Sequence, residues 1–150
     1  YGDSGNDFIF GSGGRDSLYG GSGFDVFALQ TGVGETTGFG GTFGTGLFAG
    51  NAARIYDYTD FVDKLLYSEI SFSSMEFSAF GDISPFGSFG FGVDLGVAYN
   101  AYSDGLNPLL NWATIYEDNF SSDVVLAHVT TGVNFAPAPT IDNSDFVSIA

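Results

Sequence analysis

Three aspartates, Asp7, Asp16 and Asp25, recur at intervals of nine residues, and glycines accompany each of them at fixed offsets. Aligned on that step, the chain reads GDSGNDFIF at 2–10, GSGGRDSLY at 11–19 and GGSGFDVFA at 20–28. Each unit places its aspartate sixth, with Gly2, Gly11 and Gly20 first and Gly5, Gly14 and Gly23 fourth. A carboxylate is a hard oxygen donor of the kind that coordinates Ca2+. Glycine at the first and fourth positions permits a positive φ and a tight turn whose carbonyl oxygens point inward. The chemistry that this pattern suits is the capture of calcium by carboxylate and backbone oxygens. Asp3 stands at the second position, where it either adds charge to such a site or faces water.

Ligands of this kind need a scaffold that repeats with them. The last three residues of each unit make a short strand, with Ile9, Leu18 and Phe27 inward at the eighth position. Two units form one coil, and stacked coils give a right-handed parallel β-roll. Tyr1 falls at the ninth position, as Phe10 and Tyr19 do, so a further repeat is expected upstream. Nonapeptides of this form are a known calcium-binding type of parallel β-helix, so the assignment is a match and not an independent derivation. The segment resembles the RTX (repeats-in-toxin) family, whose members leave the cell by type I secretion. That resemblance implies calcium between the turns of units two apart. Asp7 and Asp25 would then share a complete site. Asp16 would belong to a half-site on the opposite side, completed by an upstream unit or by the downstream segment.

The charge balance agrees with a cation partner. Eighteen acidic residues against three basic ones give a net charge of −15, which disfavours nucleic acid and anionic membrane surfaces. Seventeen Phe and eight Tyr separate the chain from disordered acidic tails. Without cysteines there is no disulfide staple, and a bound metal is the alternative. No apolar run reaches the ~18 residues that a membrane span requires. His128 is the only histidine, set in an apolar strand pattern, so neither a Cys/His pair nor a His/Cys zinc site can be built. The chain is expected to carry no catalytic site.

Three regions are expected: repeats at 1–28, a Gly/Thr-rich loop or insertion at 29–53, and a β-rich cap at 54–150. Residues 54–67 suggest two short strands around an acidic turn. They resemble the segment that follows the last RTX repeats, through Ile55, Asp57, Tyr58, Asp63, Lys64 and Leu65, with Tyr58 where Phe and Leu65 where Ile is usual. Asp57, Asp60 and Asp63 are read either as a solvated turn or as a further calcium site. Alternation at Ile70–Phe80 suggests a half-buried strand. Phe86, Phe89 and Phe91 either plug the end of the roll or form an exposed patch for a partner. Residues 112–118 and 123–131 read as a hairpin. The terminal Asp145, Phe146 and Val147 resemble the secretion signal of type I substrates.

The expectation is therefore an all-β chain: a short roll of calcium-binding nonapeptides followed by a strand-rich capping and secretion region. Its role would be an extracellular calcium-binding module that folds after secretion and stabilises a larger secreted protein. Two other roles use the same roll. One is a calcium-dependent structural or adhesive subunit of a surface layer, filament or adhesin, self-associating through Phe86, Phe89 and Phe91. The other is the non-catalytic terminal domain of a secreted hydrolase. In each case the protein would act outside the cell or at its surface, with calcium and, in transit, the type I apparatus as partners.

Overall fold

A computed structural model describes residues 1–11, 16–29, 35–36, 52–67, 94–99, 110–118 and 124–147. The strands, in chain order, are β1 (Asp3–Ser4), β2 (Phe8–Phe10), β3 (Ser17–Leu18), β4 (Gly21–Ser22), β5 (Val26–Leu29), β6 (Glu35–Thr36), β7 (Ala53–Ile55), β8 (Lys64–Tyr67), β9 (Asp94–Tyr99), β10 (Ala113–Asp118), β11 (Val124–Val129) and β12 (Phe146–Val147). A 3-10 turn, Asn143–Asp145, precedes the last of them. No helix among the described residues is long and apolar enough to cross a membrane.

Successive strands of the repeats go alternately to two sheets. In the first, all parallel, the order is β12-β8-β5-β2. In the second, β3 pairs with β7 and β7 with β11, again in parallel. This is the coiling of a roll with two nonapeptides per turn, and it follows from the eighth-position apolar residues. Ile9, Phe27, Leu65 and Phe146 come into register along one sheet. Leu18, Ile55 and Val129 do so along the other. All seven are buried in one core. Removing such side chains from water is the main favourable term available to strands this short.

The ninth position forms a ladder of its own. Tyr1 stacks on Tyr19 at 4.7 Å and Tyr19 on Tyr56 at 5.0 Å, nearly face to face. These separations are close to the ~4.8 Å between neighbouring strands, so the ring stack is the strand spacing expressed in side chains. Trp112 closes the ladder edge-on against Tyr56, at 5.3 Å.

The parallel sheets do not stop at residue 28. After the Gly/Thr-rich stretch the roll continues, β7 pairing in parallel with β3 and β8 with β5. Within that stretch, β6 runs antiparallel to β11 at Val124–Val125. The expected hairpin is present as β10 and β11, with a register shift between Ile115 and Tyr116. β9, which the sequence reading left unassigned, pairs with the other edge of β10. Its glycine at position 96 and its glycine-rich surroundings hid the strand. His128 is buried in β11, with Nδ1 3.1 Å from Thr114 Oγ1. Gly14, the expected strand at Ile70–Phe80, and Phe86, Phe89 and Phe91 lie outside the described residues.

Candidate calcium site

The turn at 2–7 lies directly on the turn at 20–25. β1 pairs with β4 in parallel, Asp3 opposite Gly21 and Ser4 opposite Ser22. Beside that pairing, the Gly2 N–H donates to the Tyr19 carbonyl at 2.9 Å and the Gly5 N–H to the Ser22 carbonyl at 2.8 Å. Gly23 shows why a side chain is excluded: its φ is +139°, and a Cβ there would overlap the carbonyl oxygen of Gly5. Asp3 adopts φ 124° without being glycine, a strained conformation that costs on the order of 1–3 kcal/mol.

The sixth-position aspartates of alternate units form a column. The Asp7 N–H donates to Asp25 Oδ1 at 2.9 Å, and the Asp25 N–H donates to Asp63 Oδ1 at 3.1 Å. Each carboxylate thus holds the backbone of the preceding coil with one oxygen. Asn6 works in the opposite direction, its Oδ1 accepting the Phe24 N–H of the following coil at 3.0 Å. A short polar side chain just before the aspartate was the available signal for Asn6, and the sequence reading passed over it.

The other oxygens of Asp7 and Asp25 decide the chemistry. Both Oδ2 atoms are buried and have no hydrogen-bond partner among the described residues, and Asp25 is wholly buried. Each is turned toward the first glycine of its own turn: a Cβ on Gly2 would lie 2.6 Å from Asp7 Oδ2, and one on Gly20 would overlap Asp25 Oδ2. An anionic oxygen buried without a partner costs several kcal/mol. A calcium ion removes that cost, and the glycine turns leave room for it beside backbone carbonyls. The residues therefore fit calcium: Asp7 and Asp25 would supply carboxylate oxygens, and the stacked turns would supply carbonyls. Among the described residues no three His, Asp or Glu side chains gather around one point; a site built largely of carbonyl oxygens does not require it.

Asp16 is placed in the other column. Its carboxylate bears the same relation to its own first glycine, since a Cβ on Gly11 would lie 2.9 Å from Asp16 Oδ2. Its carbonyl accepts the Arg54 N–H at 2.9 Å. With Ser17 opposite Arg54, the residue facing Asp16 in the next coil is Ala53. Among the described residues the position facing Asp16 therefore carries no carboxylate.

The acidic turn is wired differently. Asp57 accepts the N–H groups of Gly20 and Gly21, one on each oxygen, at 2.8 and 2.9 Å. Asp63 is buried, and its Oδ2 accepts the Thr59 N–H at 2.8 Å. Desolvation raises the pKa of Asp63 above the ordinary aspartate value. Asp60 Oδ2 takes the Thr140 N–H at 3.1 Å, and desolvation raises its pKa as well.

The terminal residues Asp145, Phe146 and Val147 are part of the same assembly. Phe146 and Val147 form the outer strand of the first sheet, opposite Leu65 and Leu66. Asp145 is buried. The Tyr58 hydroxyl lies 2.8 Å from Asp145 Oδ1 and 3.0 Å from the Asp63 carbonyl, shared as donor between them. Burial first, then the charge of Asp145, drives the Tyr58 pKa upward, so it stays protonated as a donor. The replacement of Phe by Tyr at this position, visible in the sequence, was the sign of that contact.

Comparison with known families matches residues 1–27 to the RTX calcium-binding nonapeptide repeat, a model of four copies. The match spans the stacked turns with Asp7, Asp16 and Asp25 and stops before the acidic turn. A comparison with curated proteins returns no match.

Proposed function

We propose that this chain is an extracellular calcium-binding module whose roll closes when calcium enters the stacked turns, and which stabilises a larger secreted protein. One observation carries the reading: the buried, unpartnered Oδ2 of Asp25 between turns held together by backbone hydrogen bonds. The RTX match over residues 1–27 supports the choice of cation. At low cytoplasmic calcium the carboxylates repel one another and the glycine turns carry a large entropy cost, so the repeats stay open. An open chain suits passage through a type I channel. Outside, calcium at about millimolar concentration exceeds the roughly 10⁻⁴–10⁻³ M dissociation constants of extracellular modules. Binding to the folded form alone then shifts the equilibrium. On this reading the chain is not a catalyst, and any catalytic part of the protein would lie outside it.

Far-UV circular dichroism during a calcium titration tests the proposal. A cooperative gain of β signal is expected, absent with magnesium and weakened in Asp7→Ala/Asp25→Ala. A spectrum fully folded in chelator and indifferent to calcium rules the mechanism out.

A further inference from the structure

Asp63 occupies in its coil the place that Asp7 and Asp25 occupy in theirs, since Phe8 pairs with Val26 and Val26 with Lys64. Its surroundings differ in ways that bear on how many ions the roll takes. Asp7 Oδ2 and Asp25 Oδ2 have no partner, whereas Asp63 Oδ2 accepts the Thr59 N–H from its own turn. The N–H groups of Gly2 and Asp3 reach backbone carbonyls of the next coil, those of Tyr19 and Gly20. Their equivalents one coil on, the N–H groups of Gly20 and Gly21, instead fork onto the carboxylate of Asp57. Among the described residues the pairing of turns ends there, because β4 has β1 on one side and no further strand on the other. The Asp63 carbonyl is itself engaged by the Tyr58 hydroxyl.

An oxygen that already accepts a protein hydrogen bond has less acceptor capacity left for a cation. In the turn at 57–63 both carboxylate oxygens of Asp57 and of Asp63 are engaged by N–H donors and the Asp63 carbonyl by the Tyr58 hydroxyl, while Asp60 Oδ1 is buried without a partner among the described residues. We propose that this turn is a metal-free clasp that ends the calcium ladder. Asp57 and Asp63 stand where ligands of the next site would stand, and they hold protein donors in place of a cation. The same turn fastens the C-terminal segment, through Tyr58 to Asp145 and Asp60 to Thr140. The roll therefore passes from ion-held coils to a coil held by its own hydrogen bonds. The inference rests on the calcium reading of the Asp7/Asp25 stack and fixes where that chemistry stops.

The test is a count of calcium equivalents by isothermal titration of the whole chain with calcium chloride. Wild type, Asp25→Asn, Asp63→Asn and Asp57→Asn are compared, each checked for wild-type β signal at saturating calcium. The count is the readout, because apparent affinity follows stability through linkage whatever the residue touches. Asp25→Asn is expected to lose one equivalent. Asp63→Asn and Asp57→Asn are expected to keep the wild-type number while melting at lower temperature. An equivalent lost in folded Asp63→Asn or Asp57→Asn overturns the clasp. Should Asp63→Asn not fold, Asp57→Asn decides on the same terms. A wild type that takes up no calcium removes the underlying reading and the clasp together. That outcome is distinct from a wild type that binds and loses an equivalent with Asp63.

Discussion

The turns at 2–7 and 20–25 and the turn at 57–63 belong to one column, yet they satisfy their aspartates in opposite ways. The glycine turns bury carboxylate oxygens that no group among the described residues pairs. The acidic turn pairs both oxygens of Asp57 and of Asp63 with backbone N–H groups. The first arrangement leaves buried oxygens that a cation would satisfy, and the second satisfies Asp57 and Asp63 within the protein, leaving Asp60 Oδ1 as its unpartnered oxygen among the described residues. A carboxylate is thus a metal ligand or a structural acceptor according to which donors its neighbourhood presents, and not according to its place in a repeat.

Withdrawing calcium should break that comparison most completely. With excess chelator the glycine turns lose the group that offsets their buried charge, and the β signal of the roll should be lost; circular dichroism reads this directly. Gly23→Ala should come next. The added methyl meets the Gly5 carbonyl at a φ of +139°, and a loss of about 2–4 kcal/mol is expected. Calcium titration should show affinity reduced more than tenfold. Tyr58→Phe acts on the other side of the comparison. It leaves the buried Asp145 carboxylate one donor short, a loss of about 1–3 kcal/mol. Thermal melting in saturating calcium should show it, with the calcium count unchanged.

Two smaller effects sharpen the contrast. Asp3→Gly relieves a non-glycine residue at φ 124° and should stabilise the calcium-loaded chain by about 1 kcal/mol. A weaker calcium affinity in the same variant would mean that the Asp3 carboxylate contributes to the site; an unchanged one places it in water. Asp60 provides the pH test. Desolvation raises its folded pKa above the ordinary aspartate value of 3.8, so the fold holds that proton more tightly than the unfolded chain does. The resulting stability is fully present below the ordinary value and is lost as pH rises through the folded value. Asp60→Asn, neutral throughout, should remove this part of the pH dependence. The difference in melting temperature between wild type and variant, followed upward from about pH 4, checks it.

The nonapeptide repeat was legible because everything that defines it is local. Glycine tolerates the turn conformation, the eighth-position residue seeks the core, and the aspartate follows at a fixed distance. Residues 1–28 therefore declare strands and turns by type and spacing, and a cation through their likeness to a known calcium-binding repeat. The hairpin of β10 and β11 was legible for the same reason, from a run of strand-forming residues. What the tertiary structure decided is which groups meet across long stretches of chain. Asp63 faces Asp25 across 38 residues, and Tyr58 meets Asp145 across 87. The continuation of the roll through β7 and β8 and the closing strand β12 follow from such meetings. A sequence lists donors and acceptors, but whether an aspartate finds an N–H or awaits an ion depends on the stacking of coils that no local pattern records.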